Sequence, residues 1–251
     1  MFTPEKARPK NRLLTKLPEP QLAAVMATAE LIEMKIFDGI IEAQADIEHA
    51  YFPESGVISL VTPLKDGSAV EATTVGNEGM VGLPLILGAP QTLTKAFCQV
   101  PGYAWRLRAD DFRQYLKNDP LFGITMLRYT QTVIDLIAQT SACNRLHTIE
   151  QRCSRWLLLV HDRSEGDSFQ LTQESLAQML GVQRTGVNIA AGALQKANLI
   201  AYARGKITIC NRAGLENLAC ECYSVVRNAI SRFDALDVCE LATRGGEGFK
   251  K

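Results

Sequence analysis

No acidic residue occurs between Glu174 and Glu216, although that stretch carries Arg184, Lys196, Arg204, Lys206 and Arg212. Over the whole chain 27 lysines and arginines balance 27 aspartates and glutamates, so the gap is one of distribution. A net-neutral chain that clears its carboxylates from one segment builds a surface there for a polyanion. Other absences exclude whole classes. The longest apolar runs, such as Trp156 to Val160, are too short to cross a bilayer, and the N-terminal Met-Phe-Thr-Pro-Glu-Lys lacks the apolar core of a signal peptide. A cytoplasmic protein with no membrane partner is expected. The seven cysteines form an odd set without CxxC spacing, which suits free thiols in a reducing compartment. Cys220 and Cys222 invite a metal or redox reading, but they fall in a segment, Arg212 to about Phe233, that reads as one helix. Residues two apart on a helix face different directions, so structural thiols are expected.

Histidine is scarce: His49, His147 and His161 are isolated in the sequence. A cupin-type metal oxygenase needs two or three histidines and a carboxylate converging on one metal, and His49 with Glu48 or Glu42 is all the β-rich region offers. There is no Ser-His-Asp arrangement, P-loop or Gly-x-Gly-x-x-Gly fingerprint. The expectation is a protein that is not an enzyme, with no catalytic residue, no cofactor and no metal.

At 251 residues the chain is long enough for two domains of ordinary globular composition. Up to about residue 33 an amphipathic pattern predicts helix. From Ile36 to Leu107, glycines punctuate short runs such as Val57 to Val61, Val70 to Val75 and Ala96 to Val100, which predicts a compact antiparallel β-domain. Asp110-Asp111 opens a further helix, and Asp119-Pro120 starts a long one with proline in its first turn. Ile124, Leu127, Ile134, Ile137 and Ala138 give that helix an apolar stripe, diluted by Gln131 and Ser141. The stripe either seals the β-domain or forms the seam of a parallel dimer, and the dimer is favoured. Thr148 to Arg163 is a further helix with Trp156 to Val160 as its core.

The acid-free segment has its own order of elements. Leu171-Thr172-Gln173-Glu174-Ser175-Leu176 reads as a helix start with Thr172 as N-cap and a Leu171/Leu176 staple, and Gly181 suits the C-terminal cap. A second helix covers Arg184 to about Lys196, with Val187, Ala190, Ala191 and Leu194 on its buried face. Arg184, Thr185 and Asn188 then point outward near its N-terminal end, where the recognition helix of a helix-turn-helix reaches base edges in the major groove. Leu199 to Ala203 and Lys206 to Cys210 flank Arg204-Gly205 as a hairpin wing. Gln183, Lys196, Arg204 and Lys206 are the candidate phosphate contacts. Gly186 and Gly192 weaken the second helix by about 1 kcal/mol each relative to alanine, and permit close approach either to the first helix or to DNA. A nonenzymatic adaptor whose winged helix binds protein is the alternative, but it predicts an uncharged or acidic second helix.

With β-domain, long helix and winged helix in this order, roughly residues 20 to 230 resemble the cyclic-AMP receptor protein and fumarate-nitrate reductase regulator (Crp/Fnr) superfamily of bacterial transcription factors. The match is strongest from Leu171 to Asn188 and at Asn198-Leu-Ile200. The resemblance implies an α+β fold: a cyclic-nucleotide-binding-type β-roll effector domain (1–119), a dimerisation helix (120–145) carrying Ile124, Leu127, Ile134 and Ile137, and a winged helix-turn-helix DNA-binding domain (146–233). A Gly-rich tail (234–251) is expected to be disordered. It further implies a homodimer on double-stranded DNA, with RNA polymerase and an unidentified small-molecule effector as candidate partners. Arg184 matches a family arginine that pairs with guanine, and Thr185 stands where many members carry glutamate, implying a different operator.

The effector cassette departs from the family pattern. Where a glycine-glutamate pair should hold the ribose, this chain has Gly82-Leu83, and Thr94-Lys95 stands where arginine and a small hydroxyl residue should hold the cyclic phosphate. Burying those oxygens against Leu83 would leave them unpaired at about 1–3 kcal/mol per group, and Lys95 offers no bidentate fork. Gly82, Leu83, Thr94 and Lys95 thus form a degenerate pocket not expected to bind cyclic AMP or cyclic GMP tightly. The iron-sulfur branch needs N-terminal cysteines, and none precedes Cys98.

Overall fold

The computed structural model describes residues 8–238. Buried Leu13, Leu14 and Leu17 seat the first segment on the core, and α1 (Glu19–Thr28) follows. The helix ends there. Residues Glu30–Met34, expected as helix, form strand β1, because Ala29 turns extended and the segment pairs antiparallel along the strand that ends the β-domain. The other strands are β2 (Gly39–Ile41), β3 (His49–Pro53), β4 (Val57–Pro63), β5 (Ala69–Val75), β6 (Lys95–Val100) and β7 (Gly102–Arg108). They make two antiparallel sheets, ordered β1-β7-β3 and β2-β6-β4-β5, whose facing sides bury Phe52, Ile58, Leu60, Ala96, Cys98 and Leu107. This is the expected β-roll.

Asp110 and Asp111 lie in the first turn of α2 (Ala109–Asn118), where carboxylates complement the helix dipole. Asp119 then caps α3 (Pro120–Leu146), accepting from the amides of Leu121 and Phe122. The inner face of α3, including Phe122, Met126, Tyr129 and Val133, joins the β-roll core, and Tyr129 donates its hydroxyl to Met80 O at 3.2 Å. Leu127 and Ile134 face outward, 55% and 54% exposed, with Ile137 beside them. The inner face therefore seals the β-roll, while a separate apolar stripe is left uncovered.

Helix α4 (Ile149–His161) opens with a capping box, Thr148 accepting from Gln151 N and the Gln151 side chain accepting from Thr148 N. Trp156 to Val160 are buried, as expected. After β8 (Ser168–Gln170), a strand not expected from sequence, come α5 (Gln173–Leu180), α6 (Arg184–Lys196), β9 (Ile200–Ala203) and β10 (Lys206–Ile209), with sheet order β8-β10-β9.

The last helix is two. Helix α7 (Arg212–Leu218) stops where Ala219 turns extended (ψ 149°), and α8 (Cys222–Asp234) starts after Cys220 and Glu221. The break aims the thiols of Cys220 and Cys222 back at Cys143 near the end of α3, which the single-helix reading excluded. Helix α8 packs along α3. Of the tail expected from residue 234 to be disordered, the first residues are ordered: Asp234 ends α8 in an ion pair with Arg12 (2.5 Å), and Val238 is buried. Its remainder, 239–251, lies outside the described residues. Among the described residues no helix is long and apolar enough to cross a membrane.

Polar groups buried at the seam join the two domains. Glu71 of β5 accepts from Ser59 Oγ (2.7 Å) and from Trp156 Nε1 of α4 (2.8 Å). Glu78 pairs with Arg163 at 2.8 Å, both side chains 6% exposed. The Arg163 guanidinium holds the Glu78 carboxyl below its ordinary value against the opposing effect of burial, while burial pushes Glu71 up to about 7.

Candidate nucleic-acid interface

The head is built as its sequence specifies. Thr172 caps α5 by accepting from Ser175 N at 3.0 Å, and Leu171 and Leu176 on either side of the cap are both buried. Gly181 closes the helix at φ 59°, a left-handed conformation that favours glycine, and the turn delivers the chain to α6. Val187, Ala190, Ala191 and Leu194 form the buried face of α6. Gln183, Arg184, Thr185 and Asn188 are exposed at its N-terminal end, and Lys196 at its C-terminal end. Arg204 (φ 52°) and Gly205 (φ 73°) make the two-residue turn of the wing, leaving Arg204 and Lys206 exposed. Tyr202 ties the wing to the start of α5 by donating to Leu171 O at 2.9 Å.

Among the described residues no ion pair engages Arg184, Lys196, Arg204 or Lys206. Arg212 is different: it reaches Asp162 at 2.5 Å and Glu216 at 3.0 Å. It belongs to the packing of α4 on α7 and adds nothing to the basic face. Ile189, 70% exposed beside Asn188, is a residue the sequence reading missed. Its signal was an isoleucine at an outward position of a helix whose apolar face was already complete, and an apolar side chain there suits a thymine methyl group. The two glycines of α6 differ. A Cβ on Gly186 would lie 3.0 Å from Ile149 of α4, whereas one on Gly192 would meet nothing within 4 Å. A groove between the β4–β5 hairpin, at Leu64 and Val70, and the α5–α6 turn reaches Arg184 at its edge.

In the effector cassette, Gly82 takes φ 113° and starts a short 3-10 turn, Leu83–Leu85. Leu85 is buried and Leu83 packs on the β-roll core. Thr94 is occupied locally, its Oγ1 lying 2.9 Å from that of Thr92. Lys95 Nζ meets Glu42 Oε1 at 3.1 Å. The His49 ring lies tilted against that of Tyr51, the centroids 6.0 Å apart. Among the described residues the one group of three or more metal-capable side chains is Cys143, His147, Cys220 and Cys222, outside the β-roll. His147 is therefore not isolated, and His161 is also engaged, by Asp167 at 2.9 Å.

The comparisons with known proteins fall on this geometry. Residues 37–119 match the family model of the cyclic nucleotide-binding domain, and residues 151–218 that of the Crp-like helix-turn-helix domain. The chain is a Crp/Fnr-type regulator. Solved structures share the fold at low identity. FixK2 from Bradyrhizobium japonicum superposes with a TM-score of 0.65 at 16% identity, over 76% of this chain and 98% of that one. TTHA1359, a Crp/Fnr-family transcriptional regulator from Thermus thermophilus, gives 0.62 at 18%, over 76% and 98%. CLP from Xanthomonas campestris, described as a c-di-GMP-responsive global regulator, gives 0.61 at 12%, over 76% and 99%. No curated protein matches the chain by sequence. In the order of these elements, α6 is the second helix of the helix-turn-helix, β9–β10 the hairpin that follows it, and α3 the long helix between the two matched domains.

Proposed function

We propose that this Crp/Fnr-type protein is a cytoplasmic homodimer that binds a palindromic operator in double-stranded DNA and regulates transcription without catalysis. The observation that carries the reading is the N-terminal end of α6. Arg184, Thr185 and Asn188 stand exposed there, clear of carboxylates, on a helix whose opposite face is buried. Arg184 pairs with a guanine edge, Asn188 suits adenine, and Thr185 reads either base or a methyl group. Gln183, Lys196, Arg204 and Lys206 hold phosphates and set the register. The exposed stripe Leu127, Ile134 and Ile137 on α3 is the seam for a second copy, which places two heads on two half-sites. RNA polymerase is the partner such a dimer would engage next on a promoter.

The reading includes an effector domain that does not take cyclic AMP or cyclic GMP tightly. Leu83 offers no acceptor for a ribose hydroxyl, and Lys95, the cation nearest the expected phosphate position in sequence, is held by Glu42. A different small molecule, or none, acts there. Calorimetry showing micromolar cyclic AMP affinity would overturn this part.

Anisotropy titrations on operator variants at several salt concentrations test the division of labour. Arg184→Ala should cost about 1–3 kcal/mol and relax one base position. Lys206→Ala should weaken all sequences about equally and reduce the salt slope by about 1. Identical behaviour of the two variants across operators would refute it. Salt-independent binding of a protein with no DNA affinity would instead favour an adaptor.

A further inference from the structure

Four side chains converge where α3 gives way to α4. Cys143, in the last turn of α3, and His147, its C-cap, are four residues apart and share a helix face. Cys220 and Cys222 reach them from the break between α7 and α8. The ligating atoms all lie within 4.8 Å of one another. Cys143 Sγ is 3.5 Å from Cys220 Sγ, and Cys222 Sγ is 3.6 Å from His147 Nδ1. A tetrahedral zinc ion with ordinary bond lengths separates two thiolates by about 3.8 Å and a thiolate from an imidazole nitrogen by about 3.6 Å. The four groups thus stand at mononuclear spacing, whereas an iron-sulfur cluster needs its thiolates held apart by its own width.

The surroundings match a metal site. His147 Nε2 lies 3.2 Å from Glu221 Oε2, so a carboxylate orients the ring with Nδ1 turned to the thiols. Gln139 Nε2 donates to Cys222 Sγ at 2.9 Å. Arg152 and Arg155, 6% and 4% exposed, lie close enough to interact with Cys143, and the Nε of each has no hydrogen-bond partner. Three thiolates and a neutral imidazole around a divalent cation carry one net negative charge, which these guanidiniums offset. Arg152 donates to Leu180 O, and Arg155 reaches Thr140 Oγ1 at 3.5 Å and lies near the Glu71 carboxyl, yet neither forms an ion pair among the described residues, and an anionic metal–thiolate group beside them would lower the cost of burying their charge.

We propose that Cys143, His147, Cys220 and Cys222 form a closed Cys3His site for a thiophilic divalent cation, zinc foremost, that clamps the end of α3 to the start of α8. All four positions come from the protein, so the site is structural and carries no catalytic water. The clamp sits at the joint between the long helix and the head, and metal occupancy fixes that joint. The site rests on its own geometry and stands whether or not the protein binds DNA.

The test uses the full chain, without an affinity tag, purified under reductant and free of chelators. Elemental analysis should find one zinc per chain, and cobalt exchange should give a tetrahedral visible spectrum with thiolate charge-transfer bands. Cys210→Ser alters an exposed thiol outside the group and should keep the metal, whereas Cys222→Ser and His147→Ala should lose it. Glu221→Gln changes an exposed side chain that only orients His147, and should weaken zinc about tenfold in chelator competition while the fold persists. Wild-type protein that takes up neither zinc nor cobalt, a cobalt spectrum without thiolate bands, a Cys143–Cys220 disulfide formed in place of the metal under reductant, or equal metal content in every variant would overturn the proposal.

Discussion

Replacing Glu71 by glutamine should make the protein more stable at alkaline pH and should remove much of its pH dependence near neutrality. Glu71 is buried in β5 and accepts hydrogen bonds from Ser59 and from Trp156 of α4. Burial outweighs both bonds and the nearby Arg155 and Arg163, and raises the carboxyl from its ordinary 4.5 to about 7. Because the folded state holds this proton more tightly than the unfolded chain, Glu71 favours the fold fully below about pH 4.5, and that contribution drains away as pH rises through 7. The displacement corresponds to about 3 kcal/mol, of which about 2–3 kcal/mol falls between pH 5 and pH 8. Glutamine keeps the shape, accepts from Trp156 and turns its amide to Ser59 without carrying charge. Urea unfolding of both proteins across this range isolates the effect, since every other titrating group is common to the pair. The advantage of Glu71→Gln should grow with pH. A difference that stays flat from pH 5 to pH 8 would show that Glu71 is already ionised in the fold, and would refute the reasoning.

Gly192→Ala should stabilise the protein by about 1 kcal/mol, because its Cβ meets open space on a regular helix; a lower unfolding midpoint would contradict this. Ile134→Glu places a charge on the exposed stripe of α3 and should convert a dimer to a monomer in sedimentation velocity without lowering monomer helicity. An unchanged sedimentation coefficient would remove α3 as the seam. Thr172→Ala removes the cap of α5 and should cost about 1 kcal/mol in thermal unfolding.

What the sequence made legible was local. The stretch from Leu171 to Lys196 has its cap, staple, glycine stop and apolar face written at fixed spacing, and the structure follows them closely. The β-roll was likewise legible from glycines between short runs, although β8 and the strand at Glu30–Met34 were not, because each is made by a partner distant in sequence. The break before Cys222 was hidden for a related reason. The pattern from Arg212 to Phe233 is helical residue by residue, whereas the chain turns extended at Ala219 and α8 packs along α3, a partner distant in sequence. A cysteine and a histidine four apart at 143 and 147 were the signal that could have joined Cys220 and Cys222 to a site. The seam of Glu71, Trp156, Glu78 and Arg163 left no trace in the sequence, since buried carboxylates are recognised only once their surroundings are known.

Selection of genomic fragments with the purified protein at fixed salt, with and without cyclic AMP, tests the central claim most directly. A palindromic sequence should be enriched in both conditions, and that enrichment should be lost on Arg184→Ala. Enrichment only with cyclic AMP would contradict the reading of Leu83 and Lys95, and no enrichment of any sequence in either condition would contradict the assignment of α6 as a reader of DNA.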